Sequence, residues 1–368
     1  MPYTAEEVAE LVEQEDVECI RLAFFDALGH PKSFSIAPSQ LRQAIAVPAV
    51  GERCGGLFLV PDLNTLQVLP WYPKESKTAR MYCSIRQQGG APFAMDCRYL
   101  LHRAQRSARD MGLSLTVDTA HEFYLLAADK GGRPANTPHD GARALEAPPS
   151  DRGEDVRREI CQMLKDMGIT PVSSCHWQGT GQHRITYCSA GPMEAADNTM
   201  TFRQVVHTVA CRSGLHASFA PKPLVRQRGS GFSIRLSMGR AGRQCLGPFF
   251  AGVVKHMRDV TAFLNPVRQS YERLGEIRNE TLCTWTSQEM IPYMELQSPD
   301  GAANPYIAFA LLIYAGLDGI RRNLAPERGK APYFPKTIEQ AHQFTVGSDF
   351  IRDVLPTQVI ENYRQSVL

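Results

Sequence analysis

The chain has 368 residues, of which 43% are hydrophobic and 21% charged, a mixture typical of a globular protein rather than a disordered or fibrous one. Its 40 basic and 38 acidic residues leave a net charge of +2, which disfavours nucleic acid and anionic membranes as partners. No apolar run approaches the ~18 residues of a membrane span, and no signal peptide is visible. We therefore predict a cytoplasmic protein whose 10 cysteines are reduced.

The first ~90 residues have the pattern of a small sheet with one or two helices. Thr4 and Glu7 form a capping-box pattern, which predicts a helix over residues 4–14. A second, short helix is predicted from residue 38 to residue 45, with proline at its start. Apolar and alternating runs predict strands at 19–25, 32–36 and 81–85 and two more within 56–71.

The rest of the chain predicts helices and strands in alternation. The helical periodicity favours helices at 96–111, 156–167, 199–213, 249–264 and 307–322, the third of them capped by residues 194–198. Strands are predicted at 114–117, 122–127, 182–187, 216–219 and 231–237, and a long surface loop at 129–155. The pattern predicts an α+β protein with two domains, over residues 1–92 and 93–368.

Several short segments of the carboxy-terminal part follow one another in a distinctive order: EAADN at 194–198, APKP at 220–223, GSG at 229–231, SYERL at 270–274 and the stretch PDGAANPYIAFALL that starts at Pro299. In this order they resemble one family, the glutamine synthetases. The resemblance implies a β-grasp-like N-terminal domain and a larger C-terminal catalytic domain, built on a curved antiparallel sheet with helices outside. It also implies rings of subunits, often two stacked hexamers, with active sites between neighbouring subunits.

A ligase of this kind uses ATP to phosphorylate a carboxylate, and Mg²⁺ or Mn²⁺ ions neutralise the phosphates. The resemblance implies one ion held by three Glu and a second held by two Glu and one His. Of these six ligand positions, only Glu122 and Glu295 keep a ligand, and they belong to different ions. The other four positions are occupied by Ala120, Trp177, Arg184 and Ser233.

Arginine at such a position is informative, because a guanidinium cannot ligate a cation and repels it at short range. We predict that Arg184 replaces the metal charge and forms an ion pair with Glu122. Arg235 stands where the resemblance places a second histidine, and it is predicted to pair with Glu295. Arg273 matches a family arginine that holds phosphoryl oxygens. Trp177 either fills the space of the absent ligand or is an ordinary core residue.

Two further groups of residues have alternative interpretations. His121, His176 and His183 could form a replacement metal site with Glu122, but strand alternation places His121 and Glu122 on opposite faces, which favours a packing role. The GSG segment either cradles a phosphate or forms a bend that leads into a strand. The candidate ligand-binding residues are Gly229, Ser230, Gly231 and Ser237.

Two hypotheses of function follow. In the first, the protein is a pseudoenzyme with a structural, regulatory or partner-subunit role, without a cofactor, and with a small amine or amino acid as its ligand. It would assemble into stacked hexameric rings or join an active paralogue in a hetero-oligomer. In the alternative, it is an ATP-dependent carboxylate–amine ligase with rebuilt chemistry. That enzyme would use Mg²⁺ or Mn²⁺, with Arg184, Arg235 and Arg273 as charge stabilisers.

Overall fold

The structure is a computed structural model that describes residues 3–47, 56–129, 131, 133–277, 279–286, 291–326 and 332–366. The chain divides into two compact units, Met1–Leu100 and Leu101–Leu368. The helices are α1 (Ala5–Gln14), α2 (Leu41–Ala46), α3 (Cys97–Asp110), α4 (Glu154–Asp166), α5 (Pro192–Arg212), α6 (Leu246–Leu264), α7 (Arg268–Leu274), α8 (Asn279–Leu282), α9 (Pro305–Arg321), α10 (Ile338–Gly347), α11 (Asp349–Val354) and α12 (Thr357–Gln365). The domain boundary at residue 92 remains a prediction; the division between the two units falls within α3.

The strands form two sheets. They are β1 (Val17–Phe25), β2 (Pro31–Ile36), β3 (Leu57–Pro61), β4 (Gln67–Val68), β5 (Lys77–Gln87), β6 (Leu115–Ala128), β7 (Pro134–Pro138), β8 (Pro171–His176), β9 (Gln182–Tyr187), β10 (Leu215–Ser218), β11 (Phe232–Met238), β12 (Cys283–Thr286) and β13 (Tyr293–Leu296). Strands β1 to β5 belong to the first unit, and β6 to β13 to the second.

The first unit is a small mixed sheet in the order β2-β1-β5-β3, with β4 also paired to β5. Strands β1 and β5 run parallel, and the other pairs are antiparallel. The predicted capping box is confirmed, since the Thr4 hydroxyl accepts the Glu7 N–H and the Glu7 carboxylate accepts the Thr4 N–H. The buried faces of α1, α2 and the sheet form one apolar core around Ile20, Leu22 and Met81.

The second unit is built on an eight-stranded sheet in the order β12-β13-β11-β6-β9-β8, with β7 and β10 also paired to β6. Every pairing in this sheet is antiparallel. Helices α5, α6 and α9 each bury a long set of apolar side chains in the core of this unit. The α+β prediction is confirmed.

Three local predictions need correction. The strands predicted at 114–117 and 122–127 are one continuous strand, β6, because β11 pairs with residues 115–121 and β9 with residues 120–124, so that pairing continues across the gap between the two predicted strands. The loop predicted at 129–155 contains β7. Helix α5 begins at Pro192, so segment 194–198 forms its first turns and does not cap it. Asp197 in this segment accepts the hydroxyl of the buried Tyr306 at 2.6 Å, a tertiary contact that a local pattern does not reveal.

Two negative findings apply to the described residues. No helix among them is long and apolar enough to cross a membrane. The cysteines among them are free thiols.

Candidate functional site

One face of the large sheet collects the candidate residues. The two-residue period of β6 places Asp118, Ala120 and Glu122 on the same face. Across the sheet, Glu122 lies opposite Arg184 on β9, and Ala120 lies opposite Ser233 on β11. Arg235 on β11 lies opposite both Asp118 and Glu295. The sheet thus brings together seven positions that lie between residues 118 and 295 of the sequence.

The predicted pairing of Arg235 with Glu295 is confirmed. Nη2 of Arg235 lies 3.3 Å from Oε2 of Glu295, and the hydroxyl of Ser233 donates to Oε1 of the same carboxylate at 3.0 Å. The guanidinium also lies 4.0 Å from Oδ2 of Asp118 and 4.0 Å from the ring centre of Tyr293. Partial burial raises the pKa of Asp118, and the Arg235 guanidinium offsets only part of the shift. Both oxygens of Glu295 are therefore engaged by side chains of β11.

The predicted ion pair between Arg184 and Glu122 is wrong. The guanidinium of Arg184 stacks over the ring of Trp177, 4.5 Å from its centre. The Glu122 carboxylate instead accepts the backbone N–H of Gly231 at 2.8 Å and the side-chain amide of Gln182 at 3.4 Å. Both neutral donors contact Oε2 of Glu122, and the indole of Trp177 offers its face to the cation. The two charges therefore lie opposite each other in register without pairing.

Two cavities open on this face. The first, of about 400 Å³, is lined by Glu122, Trp177, Gln178, Arg184, Arg228, Gly229, Gly231, Ser233, Arg273, Glu276, Ile277, Thr281 and Gln297. The second, of about 470 Å³, is lined by Asp118, Thr119, Ala120, Val172, Arg184, Thr186, Tyr187, Cys188, Ser189, Ser233, Arg235 and Glu295. Arg184 and Ser233 line both cavities. Trp177 is half-buried in the wall of the first, which favours the interpretation that it fills a vacated ligand position.

Arg273 forms the floor of the first cavity. It is 4% exposed, and its guanidinium donates to the backbone carbonyls of Ser298 and Gln297 at 2.8 and 2.7 Å. Burial lowers the pKa of this guanidinium, and the charges of Asp300 and Glu122 offset part of that shift. A Cβ at Gly231 would lie 2.5 Å from Nη2 of Arg273, so a side chain at this position would force the guanidinium to shift.

The GSG segment is a bend rather than a phosphate cradle. Its three backbone N–H groups donate to protein acceptors: Gly229 to Glu276 at 3.3 Å, Ser230 to the Pro221 carbonyl at 2.9 Å, and Gly231 to Glu122 at 2.8 Å. Of the four predicted ligand-binding residues, Gly229 and Gly231 line the first cavity, whereas Ser230 is buried; a role in ligand binding stays a prediction. Ser237, the fourth predicted residue, is on β11 outside the lining of both cavities.

The three histidines near the site have packing partners. His121 lies behind the sheet, stacked between Phe202 and Phe232, and its Nε2 is 2.9 Å from the Tyr187 hydroxyl. His176 lies 3.0 Å from Asp140, and His183 lies 2.9 Å from Arg157. The packing role predicted for these buried side chains is supported.

Sequence reasoning missed three charged residues of the site. Asp118 could have been found from the strand period, since it precedes Ala120 by two residues. Glu276 lies in the wall of the first cavity, where Lys222 of the APKP segment forms a close ion pair with it. Arg228 lies in the same wall, just before the GSG bend. The last two come from loops, for which the sequence offers no periodic signal.

These residues do not fit the two divalent ions that the resemblance implies. Hard cations need several carboxylate or imidazole ligands converging on one point. Glu122 and Glu295 each bind hydrogen-bond donors of the protein, and arginines stand beside both. Among the described residues, no group of three or more His, Cys, Asp or Glu side chains is placed to hold a metal ion.

Comparison with known proteins decides the family. The catalytic-domain model of glutamine synthetase matches residues 94–366. The chain belongs to the glutamine synthetase family. The glutamine synthetase of Clostridium saccharobutylicum is 32% identical over 360 residues, which cover 88% of this chain and 81% of that protein. The glutamine synthetase of Methanosarcina mazei is 32% identical over 413 residues, covering 98% and 92%.

Solved structures show the same fold. Ligand-free GmaS superposes with a TM-score of 0.84 at 24% identity, covering 97% of this chain and 94% of that one. The Plasmodium falciparum glutamine synthetase superposes with a TM-score of 0.86 at 15% identity, covering 99% and 95%. The fold predicted from the resemblance is confirmed.

Proposed function

We infer that this glutamine synthetase homologue does not catalyse ordinary metal-dependent glutamine synthesis and acts as a pseudoenzyme, with a structural, regulatory or partner-subunit role. One observation carries this inference: Arg235 and Ser233 bind both oxygens of Glu295, a position that the family resemblance assigns to a metal ligand. The charge of this carboxylate is already compensated by the adjacent guanidinium, which also repels a cation.

The position of Arg184 supports the same conclusion. With Trp177 it occupies two of the three places implied for the other ion, and the stacked pair leaves Glu122 as a single carboxylate. One carboxylate binds Mg²⁺ or Mn²⁺ far more weakly than three do. Without these ions, the phosphates of ATP would lack the charge compensation that phosphoryl transfer requires.

The decisive experiment is calorimetric titration of the protein with ATP plus Mg²⁺ or Mn²⁺, together with an amine-dependent ADP-release assay. The Methanosarcina mazei glutamine synthetase serves as the positive control. We expect no metal-dependent ADP release from this chain. Turnover that requires ATP, metal and amine would contradict the proposal and establish the alternative, a carboxylate–amine ligase with rebuilt chemistry.

A variant with carboxylates at two of the lost ligand positions tests whether the residues found there are the reason that no metal ion binds. The double variant Trp177→Glu, Arg184→Glu would place two carboxylates beside Glu122 at the wall of the first cavity. We expect Mn²⁺ to raise the melting temperature of this variant but not of the parent, because a cation that binds only the folded state stabilises it. Equal Mn²⁺ stabilisation of parent and variant would contradict the idea that these substitutions removed the ion.

The alternative ligase keeps one supporting observation. Both cavities are present in the structure, and Glu122 and Glu295 each line one of them, whereas a purely structural subunit needs no cavity.

The proposal also includes a cytoplasmic location and assembly into stacked hexameric rings, alone or with an active paralogue. Mass photometry of the purified chain measures the assembly, and a monomer would contradict the homo-oligomeric form.

A further inference from the structure

The first cavity contains an imbalance of charge. Its described lining includes the carboxylates Glu122 and Glu276 and the guanidinium groups of Arg184, Arg228 and Arg273. Glu276 is paired with Lys222, and Glu122 accepts two neutral donors. Within this described lining, neither carboxylate forms an ion pair with an arginine, although the charges of both act on Arg273. Because three arginines line the cavity with two carboxylates, it has an excess of positive charge.

Two of the arginines also lack an acidic partner. Arg273 donates to two backbone carbonyls, but among the described residues Arg184 and Arg228 form no ion pair with a carboxylate. Arg228 is exposed at the rim, and its charge is close enough to lower the pKa of the Arg273 guanidinium. Arg184 is half-buried. A guanidinium that is partly desolvated without a counter-ion is poised to bind an anion.

The indole of Trp177 orients the first of these groups. Stacking at 4.5 Å covers one face of the Arg184 guanidinium and leaves its N–H edges as donors. Such an edge matches the two oxygens of a carboxylate or phosphate in bidentate geometry. The cavity volume of about 400 Å³ is within the ~300–1,000 Å³ of small-molecule sites.

We propose that the first cavity is a metal-independent site for a small oxyanion, a carboxylate or phosphate group, held by Arg184 and Arg228 beside Trp177. Arg184 stands at a position that the family resemblance assigns to a metal ligand, and its guanidinium makes the site favour an anion over a cation. Because the oxyanion lies where a cation would otherwise be needed, this proposal rests on the proposed function.

The test is titration of the full-length protein with inorganic phosphate and, separately, with succinate. Tryptophan fluorescence and calorimetry are recorded in metal-free Tris chloride at low ionic strength. We expect saturable binding that changes the fluorescence of Trp177 and weakens as salt is added. Arg184→Gln and Arg228→Gln should each weaken binding roughly tenfold or more, since each removes a charge-assisted hydrogen-bond donor.

Arg226→Gln is the matched control. Arg226 is an exposed arginine two residues from Arg228 that does not line the cavity, so its loss changes the net charge equally and should leave the affinity unchanged. Tighter binding of phosphate than of succinate would identify a phosphate-bearing ligand, and the reverse order a carboxylate; either supports the proposal. Absence of binding by both probes, an equal effect of Arg226→Gln, or a requirement for Mg²⁺ or Mn²⁺ would overturn it.

The two proposals fail in different ways. Metal-dependent ATP turnover would overturn the proposed function whatever the anion titrations show. Absence of anion binding in a protein that also lacks turnover would overturn only the oxyanion site. Circular dichroism spectra of the variants establish that they are folded, and if Arg184→Gln is not, Arg228→Gln decides.

Discussion

At the scale of individual residues, two arginines that lie opposite glutamates in this sheet form different contacts. Arg235 pairs with Glu295, whereas Arg184 stacks on an indole, although both are arginines that lie opposite a glutamate on a neighbouring strand. Glu295 accepts both Ser233 and Arg235, whereas Glu122 accepts the N–H of Gly231 and the amide of Gln182. Strand register therefore brings side chains within reach of each other, and the remaining donors determine which contacts form.

A buried ion pair outside the site gives a prediction at this scale. Arg157 donates two hydrogen bonds to Asp151, at 3.0 and 2.7 Å, and both side chains are at most 5% exposed. Arg157→Gln should lower the free energy of unfolding by about 3–5 kcal/mol, because it leaves a buried carboxylate without its counter-charge. Urea denaturation measures the loss.

The neighbouring residue supplies the control. Arg158 is exposed on the same helix, and Arg158→Gln should change the free energy of unfolding by less than about 0.5 kcal/mol. Similar values for the two variants would show that the Asp151–Arg157 pair is not held as the structure has it.

Among the elements, the close approach of α6 and α9 depends on glycine. A Cβ at Gly252 would overlap the carbonyl oxygen of Ala315 and the backbone of Gly319, and a Cβ at Gly316 would overlap the ring of Phe249. Helices that meet in this way gain dispersion contacts between their backbones. The contact was not foreseen, because the apolar pattern identifies a buried face but not the separation of the helices.

Gly252→Ala should therefore destabilise the protein by about 1–3 kcal/mol, since the atoms that the new Cβ would meet belong to the backbone and cannot move aside easily. Thermal and urea denaturation both measure this. Gly347→Ala is the control, because its Cβ would meet no atom within 4 Å, and alanine there should be neutral or slightly stabilising. A stable Gly252→Ala protein would mean that the two helices lie further apart.

For the whole molecule, buried histidines link stability to pH. Burial lowers the pKa of His121 and of His183 well below the ordinary value of 6.5. The unfolded chain therefore takes up protons near pH 6.5 that the folded chain does not. Stability is full above that pH and falls as the pH drops below it, by up to about 1.4 kcal/mol per pH unit for each histidine.

His121→Phe should reduce this acid sensitivity. The ring stacks 4.7 Å from both Phe202 and Phe232, so a phenylalanine fits the same packing without a titrating group. The free energy of unfolding between pH 5 and pH 7.5 should show a smaller slope in the variant than in the parent. His102→Phe, at an exposed position of α3, is the control, and an equal reduction by both variants would contradict the burial argument.

The sequence by itself determined the family resemblance, most helices and strands, and the identity of the residues at the six ligand positions. These properties are local: helical and strand periods, caps and short motifs are encoded in neighbouring residues. It also led to the Arg235–Glu295 pairing, through the site positions that the family resemblance assigns to the two residues.

Only the tertiary structure decided which partners the polar and charged side chains of the site contact. Whether Arg184 binds Glu122 or Trp177, whether the GSG segment faces a ligand or its own chain, and whether Glu276 reaches the cavity depend on loops and on donors far away in sequence. A hydrogen-bond partner is chosen by competition among all groups within about 3.5 Å. That competition is settled by packing, which is why the excess positive charge of the cavity became visible only in the folded chain.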